Sequence, residues 1–202
     1  MDTTPAGVLD DALSAGWPMS HAFLSRFAGL SRQWGMPSNN DKGPTMDARL
    51  NLFGNQLAAK AMKHFVAVSK VVADSTLPAT TRELVQLRAS QINGCAFCID
   101  MHTKDAAEAG ETSLRLNLVA AWREATVFTE AERAALELAE EGTRMADAAG
   151  GVSAEVWANV AKHYDEEQLS ALVTLIATIN AFNRLNVITQ QPAGDYQPGQ
   201  FG

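Results

Sequence analysis

The stretch ELVQLRASQINGCAFCIDMH, running from Glu83 to His102, decides how this chain is read. Its first part keeps a helical pattern and stops at Asn93-Gly94, a stop signal because glycine enters the left-handed region without strain. A second helix then opens near Cys95. Cys95 and Cys98 stand at i and i+3 at the start of that helix. They share a face and are close enough for a reversible disulfide after small adjustment. The helix N-terminus offers free N–H groups and partial positive charge, and both favour a thiolate. His102 follows Cys98 by one turn on the same face, where it can hold or relay a proton. Glu83 lies on the preceding helix. Antiparallel packing across the Asn93-Gly94 turn would carry its carboxylate to the pair.

This set of groups meets the demands of peroxide reduction. A thiolate attacks the O–O bond and becomes a sulfenic acid, and a neighbouring thiol condenses with it to a disulfide. A proton donor serves the departing oxygen, and an external dithiol resets the pair by exchange. Which cysteine attacks is open on these grounds. The helix dipole favours Cys95, whereas His102 is better placed for Cys98. Other readings of the same residues also stand. The cysteines could be zinc ligands with His102, the fourth ligand coming from His64 or His163. They could be buried small apolar residues, or mark an oligomeric redox sensor that turns over slowly. Glu83 could be the partner of Thr80 in a capping box.

Outward from this segment the chain reads as helix after helix. Gln56–Ala73 places Leu57, Ala61, Phe65, Val68 and Val72 at spacings of three and four. Pro78 suits a first helical turn. Shorter helices are expected over Ser113–Trp122 and Ser153–His163. Capping boxes at Thr129/Glu132 and Asp165/Gln168 open helices that reach to about Met145 and Ile188. The last of these is apolar on most faces, which predicts a central position or burial between subunits. No alternating strand pattern stands out, so the fold class is all-α. Residues 1–45, rich in turn formers around a short amphipathic helix at 21–34, form an N-terminal extension. Residues 46–190 form the helical domain, and 191–202 an extended tail.

The 202 residues are 47% apolar and carry a net charge of −7. That balance fits a globular domain and does not favour nucleic acid or an anionic membrane as partner. Polar residues interrupt the apolar stretch at 169–188, which argues against a membrane span. The start of the chain lacks the pattern of a secretory leader, so the cytoplasm is the expected compartment. Only two cysteines occur, and two at this spacing suggest redox or metal chemistry rather than a secreted scaffold.

The spacing from Glu83 through Cys95 and Cys98 to His102 resembles the motif of the alkylhydroperoxidases, within the carboxymuconolactone decarboxylase-like superfamily. The runs LRASQINGCAFCIDMHTKDA, AGET at 109–112, AWRE at 121–124 and ATINAFNRLNV at 177–187 are similar to members as well. The resemblance covers about Met46 to Val187. It implies an AhpD-like all-α helical bundle, a homo-oligomer (dimer, trimer or hexamer) and thiol-dependent reduction of hydroperoxides. It also implies roles. Cys98 would be the peroxidatic cysteine, Cys95 the resolving one, and Glu83 and His102 a proton relay. No metal or organic cofactor is implied, only a dithiol reductant protein such as one bearing a lipoyl group. Phe97 departs from the pattern, since His or Tyr often precedes the second cysteine. Arg88, Trp122, Asn180, Asn183 and Arg184 fall in the family-like runs and are expected to serve structure.

Overall fold

The computed structural model describes residues 46–200. The expectations for an N-terminal extension and a helix at 21–34 lie outside the described residues. Seven α-helices follow in order: α1 (Gln56–Ala73), α2 (Ala79–Asn93), α3 (Ala96–Glu108), α4 (Ser113–Leu118), α5 (Glu130–Thr143), α6 (Ala154–Val160) and α7 (Glu166–Thr189). A 3-10 turn, Val119–Ala121, continues α4. Among the described residues there is no strand, and the all-α expectation holds. Residues 190–200 carry neither helix nor strand.

The helix ends follow from local chemistry. Asn55 caps α1 through its side-chain oxygen, which accepts from the Leu57 and Ala58 N–H groups. Both expected capping boxes close, Thr129 with Glu132 and Asp165 with Gln168. The alternative box between Thr80 and Glu83 does not form. Pro78 is the cap residue of α2 and makes no side-chain bond there. Its ring fixes the backbone for helix entry two residues before Thr80, so Thr80 already lies inside the first turn. Glu83 is thereby left to turn elsewhere.

The bundle is organised around α2. Val85 joins an apolar cluster with residues of α5, α6 and α7, including Leu138, Val160, Leu172 and Ile176. Leu84 and Leu87 join a second cluster with Leu116, Val119, Trp122 and Leu136. Each fully buried side chain of this size contributes about 1.5–3 kcal/mol relative to exposure. The remaining face of α2 is polar, with Glu83, Gln86, Ser90 and Asn93 spaced three, four and three apart. That stripe looks toward α3 and α7, and every member of it has a partner there.

By length and apolarity alone α7 could cross a membrane, yet half of that apolar stretch is buried in the bundle. It packs on α1, α2, α3 and α5 as a core helix does. The stripe expected on α1 is only partly inward. Val72 is buried, whereas Leu57 is 79% and Val68 38% exposed. A different face of α1, through Ala59, Met62, Lys63, Val66 and Ser69, walls a cavity. Phe65 meets Phe182 of α7 at a ring separation of 5.7 Å, and the next apolar face along α1 borders open space.

Candidate active site

A Schellman turn joins the two helices of the deciding stretch. Gly94 sits at φ 66°, its N–H donates to the Gln91 carbonyl, and the Cys95 N–H donates to the Ser90 carbonyl. α3 begins at once. Cys95 is its cap residue, and its sulfur accepts the Cys98 N–H at 3.3 Å. Cys95 and Cys98 are joined as a disulfide, with Cα atoms 5.3 Å apart. Each is 1% exposed.

Glu83 comes to the site from α2. Its Oε2 lies 3.0 Å from Nδ1 of His102. A carboxylate only accepts, so Nδ1 carries the proton and Nε2 presents a lone pair. The Gln86 amide nitrogen stands 3.5 Å from that Nε2. His102 is buried while Glu83 keeps partial solvent access. All four residues singled out from sequence therefore converge, Glu83 by holding His102 and His102 by sharing a face of α3 with Cys98.

That face opens into a cavity of about 370 Å³. Cys98, Met101, His102 and Asp105 line it from α3, spaced three, one and three apart. α1 contributes Met62, Lys63 and Val66, and α7 contributes Ile179, Phe182 and Asn186. The lining is largely apolar, with the sulfur and the imidazole as its reactive groups. Cys95 does not reach this space. It lines a separate depression of about 200 Å³.

Sequence reasoning missed three contributors. The Asn186 amide donates to the Cys98 sulfur at 3.3 Å. Gln86 attends His102. Tyr196, in the expected extended tail, is buried and borders the cavity together with Gly199. Its hydroxyl lies 2.9 Å from both Asp105 oxygens. Lys104 holds the carbonyls of Gly194 and Tyr196 at 2.9 Å each, and the Gly194 N–H donates to Asp100 at 2.8 Å. Burial would raise the Asp100 carboxyl, but Lys104 and the Gly194 N–H hold it below its ordinary value. Burial first, and then the Asp105 carboxylate, push the Tyr196 phenol up to about 12. The tail is thus clamped across α3 as a wall of the cavity. Asn186 carried a weak signal, its place in a polar-dotted apolar helix. Tyr196 carried none.

The residues assigned to structure do form buried polar contacts. Glu140 accepts from Arg88 at 2.6 Å and from the Trp122 indole at 2.9 Å, and it pairs with Arg123. Asn93 donates to Asn180 and Asn183, both at 2.9 Å, tying the end of α2 to α7. Arg184 bonds back to the Asn180 carbonyl on its own helix. Among the described residues no three His, Cys, Asp or Glu side chains gather in a way that could hold a metal ion. His64 and His163 are exposed on α1 and in the turn after α6.

Residues 59–141 match the carboxymuconolactone decarboxylase family. The chain is 43% identical over 132 residues to YdfG of Bacillus subtilis, covering 65% of this chain and 88% of that one. The chain belongs to the carboxymuconolactone decarboxylase family. It is also 34% identical to YnjA of Escherichia coli over 59% of this chain and 64% of that one. Among solved structures, this family member superposes on a protein of Agrobacterium tumefaciens proposed as the antioxidant-defence protein AhpD. The TM-score is 0.69 at 32% identity, over 74% of this chain and 100% of that one. The debrominase Bmp8 shares the fold at a TM-score of 0.60 and 19% identity, over 68% of this chain and 73% of that one. The resemblance drawn from the motif therefore holds at the level of family and fold.

Proposed function

We propose that this protein is a thiol-dependent peroxidase that reduces hydroperoxides through the Cys95–Cys98 dithiol. One observation carries the reading. Cys98 and His102 line a single apolar cavity, and Glu83 fixes the proton position on His102 from behind. In the reduced enzyme, Nε2 of His102 takes the Cys98 proton. The thiolate attacks the terminal peroxide oxygen, the O–O bond breaks, and the alkoxide leaves with the proton returned from His102. Cys98 is then a sulfenic acid. Cys95 attacks its sulfur, water departs, and the disulfide forms. An external dithiol such as a lipoyl group returns two electrons. The cycle calls for no metal or organic cofactor, and it suits a dithiol-supplying compartment such as the cytoplasm. The exposed apolar residues of α1 support assembly as a homo-oligomer.

The test is hydroperoxide consumption with dihydrolipoamide as reductant, run beside Cys95→Ser and Cys98→Ser. Turnover in the parent that is lost in both variants is the expected result. Parent turnover that survives Cys98→Ser would sink the mechanism. No parent turnover would favour a redox sensor, or a zinc-holding protein if metal analysis finds zinc.

A further inference from the structure

The two sulfurs of the disulfide line different spaces. Cys98 faces the cavity shared with His102. Cys95 lines the depression together with Met46, Gly94, Ala96, Val187, Gln190 and Gln191. Phe97 and Asn186 border both spaces and stand between them. Phe97, which departs from the family pattern as a proton-relay group, thus has a place as a partition.

The geometry points to the Cys95 depression as the reductant's own entrance, separate from the hydroperoxide cavity, taking a neutral dithiol on an amide-linked carbon arm. This inference rests on the disulfide cycle proposed above. Two observations favour attack at Cys95. The first is the leaving group, because exchange is faster when the departing thiolate is the more stabilised. Each sulfur accepts one hydrogen bond at 3.3 Å, Cys95 from the Cys98 N–H and Cys98 from the Asn186 amide, but only Cys98 shares its cavity with His102, which can return a proton to the departing thiolate. The second is the lining. Among the described residues, none that borders the depression is charged, whereas Lys63 and Asp105 border the cavity. An uncharged lining with glutamine amides fits a lipoyl-type arm and disfavours a charged thiol peptide, whose ionised groups would lose water there without a partner.

One thiolate of the reductant attacks the Cys95 sulfur, the Cys95–Cys98 bond breaks, and Cys98 leaves as a thiolate. The reductant's second thiol then attacks its own bound sulfur and expels Cys95. The reductant closes to a cyclic disulfide, and its two electrons and two protons end on Cys95 and Cys98.

The test begins with the full chain oxidised by diamide, so that it does not depend on any hydroperoxide. Brief exposure to 2-mercaptoethanol with iodoacetamide present, followed by peptide mapping, reports which sulfur was attacked. The mixed disulfide is expected on Cys95 and the alkyl group on Cys98, and the reverse placement overturns the inference. Two fillers give the second arm. Val187→Trp should slow reduction by dihydrolipoamide about tenfold or more by blocking access, leaving oxidation of the dithiol by cumene hydroperoxide unchanged. Val66→Trp, which fills the cavity, should do the opposite. Reduction slowed by Val66→Trp and untouched by Val187→Trp would overturn the separate entrance. If hydroperoxide fails to oxidise the parent while the adduct still maps to Cys95, the peroxidase reading fails and the entrance stands.

Discussion

Glu83 and His102 lie nineteen positions apart and meet at 3.0 Å across two antiparallel helices. The contact fixes both the orientation and the tautomer of the imidazole beside Cys98.

Glu83→Gln tests that relationship. The amide can still hydrogen-bond to Nδ1 but no longer stabilises a protonated ring. Oxidation of the reduced enzyme by hydroperoxide should slow by about tenfold to a hundredfold, the lower part of the range for positioned acid–base groups. Because Glu83 acts through His102, the pH profile of that step should shift as well. Stopped-flow measurement between mildly acidic and alkaline pH decides it, and an unaltered rate and profile would remove Glu83 from the relay.

The Glu140 cluster governs acid stability. Burial opposes ionisation of Glu140, but Arg123, Trp122 and Arg88 hold its carboxyl below the ordinary value of 4.5. Glu132 is likewise held down, by Arg115 against the effect of its burial. A depressed folded value means stability that is complete above the unfolded value and is lost as pH falls through the folded one. Thermal stability should therefore fall on acidification below about 4.5, the ordinary glutamate value. Glu140→Ala takes the shared acceptor from the largely buried Arg88 guanidinium and the Trp122 indole and should cost about 3–5 kcal/mol at neutral pH. Melting temperatures of both proteins across this range provide the check.

The tail clamp makes a spectroscopic prediction. The sequence has two tyrosines, and burial raises the phenols of both Tyr164 and Tyr196, the latter to about 12. Tyrosinate absorbance should rise only well above the ordinary value of 10.0. Here the folded value is raised, so the clamp's contribution is complete below the unfolded value and is lost as pH climbs through the folded one. Tyr196→Phe removes a hydrogen bond to a charged group worth about 1.5–3 kcal/mol. It should speed proteolysis of the tail and raise KM for bulky hydroperoxides more than for hydrogen peroxide. A tail that resists protease as before would show that the hydroxyl contributes little.

Assembly should depend on α1. Leu57 and Val71 are too exposed to serve this chain's own core. Sedimentation of the parent is expected to show a homo-oligomer, and Val71→Glu should shift it toward smaller species with the helical content retained. A monomeric parent would contradict this.

The site was legible in sequence where its chemistry is local. Cys98 and His102 share one helix and Cys95 caps it, so spacing alone places the first two on one face and the third at the helix start beside them. Glu83 is reached through a single tight turn, which the Asn93-Gly94 signal announces. Gln86 follows Glu83 on the same stripe, yet amides are common on helices and nothing marks this one. Asn186 and Tyr196 reach the site from 88 and 91 positions away. No periodicity reports an encounter of that kind, which only the tertiary packing of α7 and the path of the tail create. The alternative at Thr80 fails on local grounds. Its capping pattern lies two residues beyond Pro78, which already caps the helix.

The Schellman turn at Gly94 has a mechanical consequence. It joins the last residue of one helix to the cap of the next with no spare link, so it sets the phase of α3 as well as its direction. A helix advances about 100° per residue. One residue inserted between Asn93 and Cys95 would break the bonds from the Gly94 and Cys95 N–H groups that lock this turn, and with them the phase that aims Cys98 at the cavity and the Asn186 amide. The angular address of the nucleophile is therefore written in the length of a turn that takes no part in the chemistry.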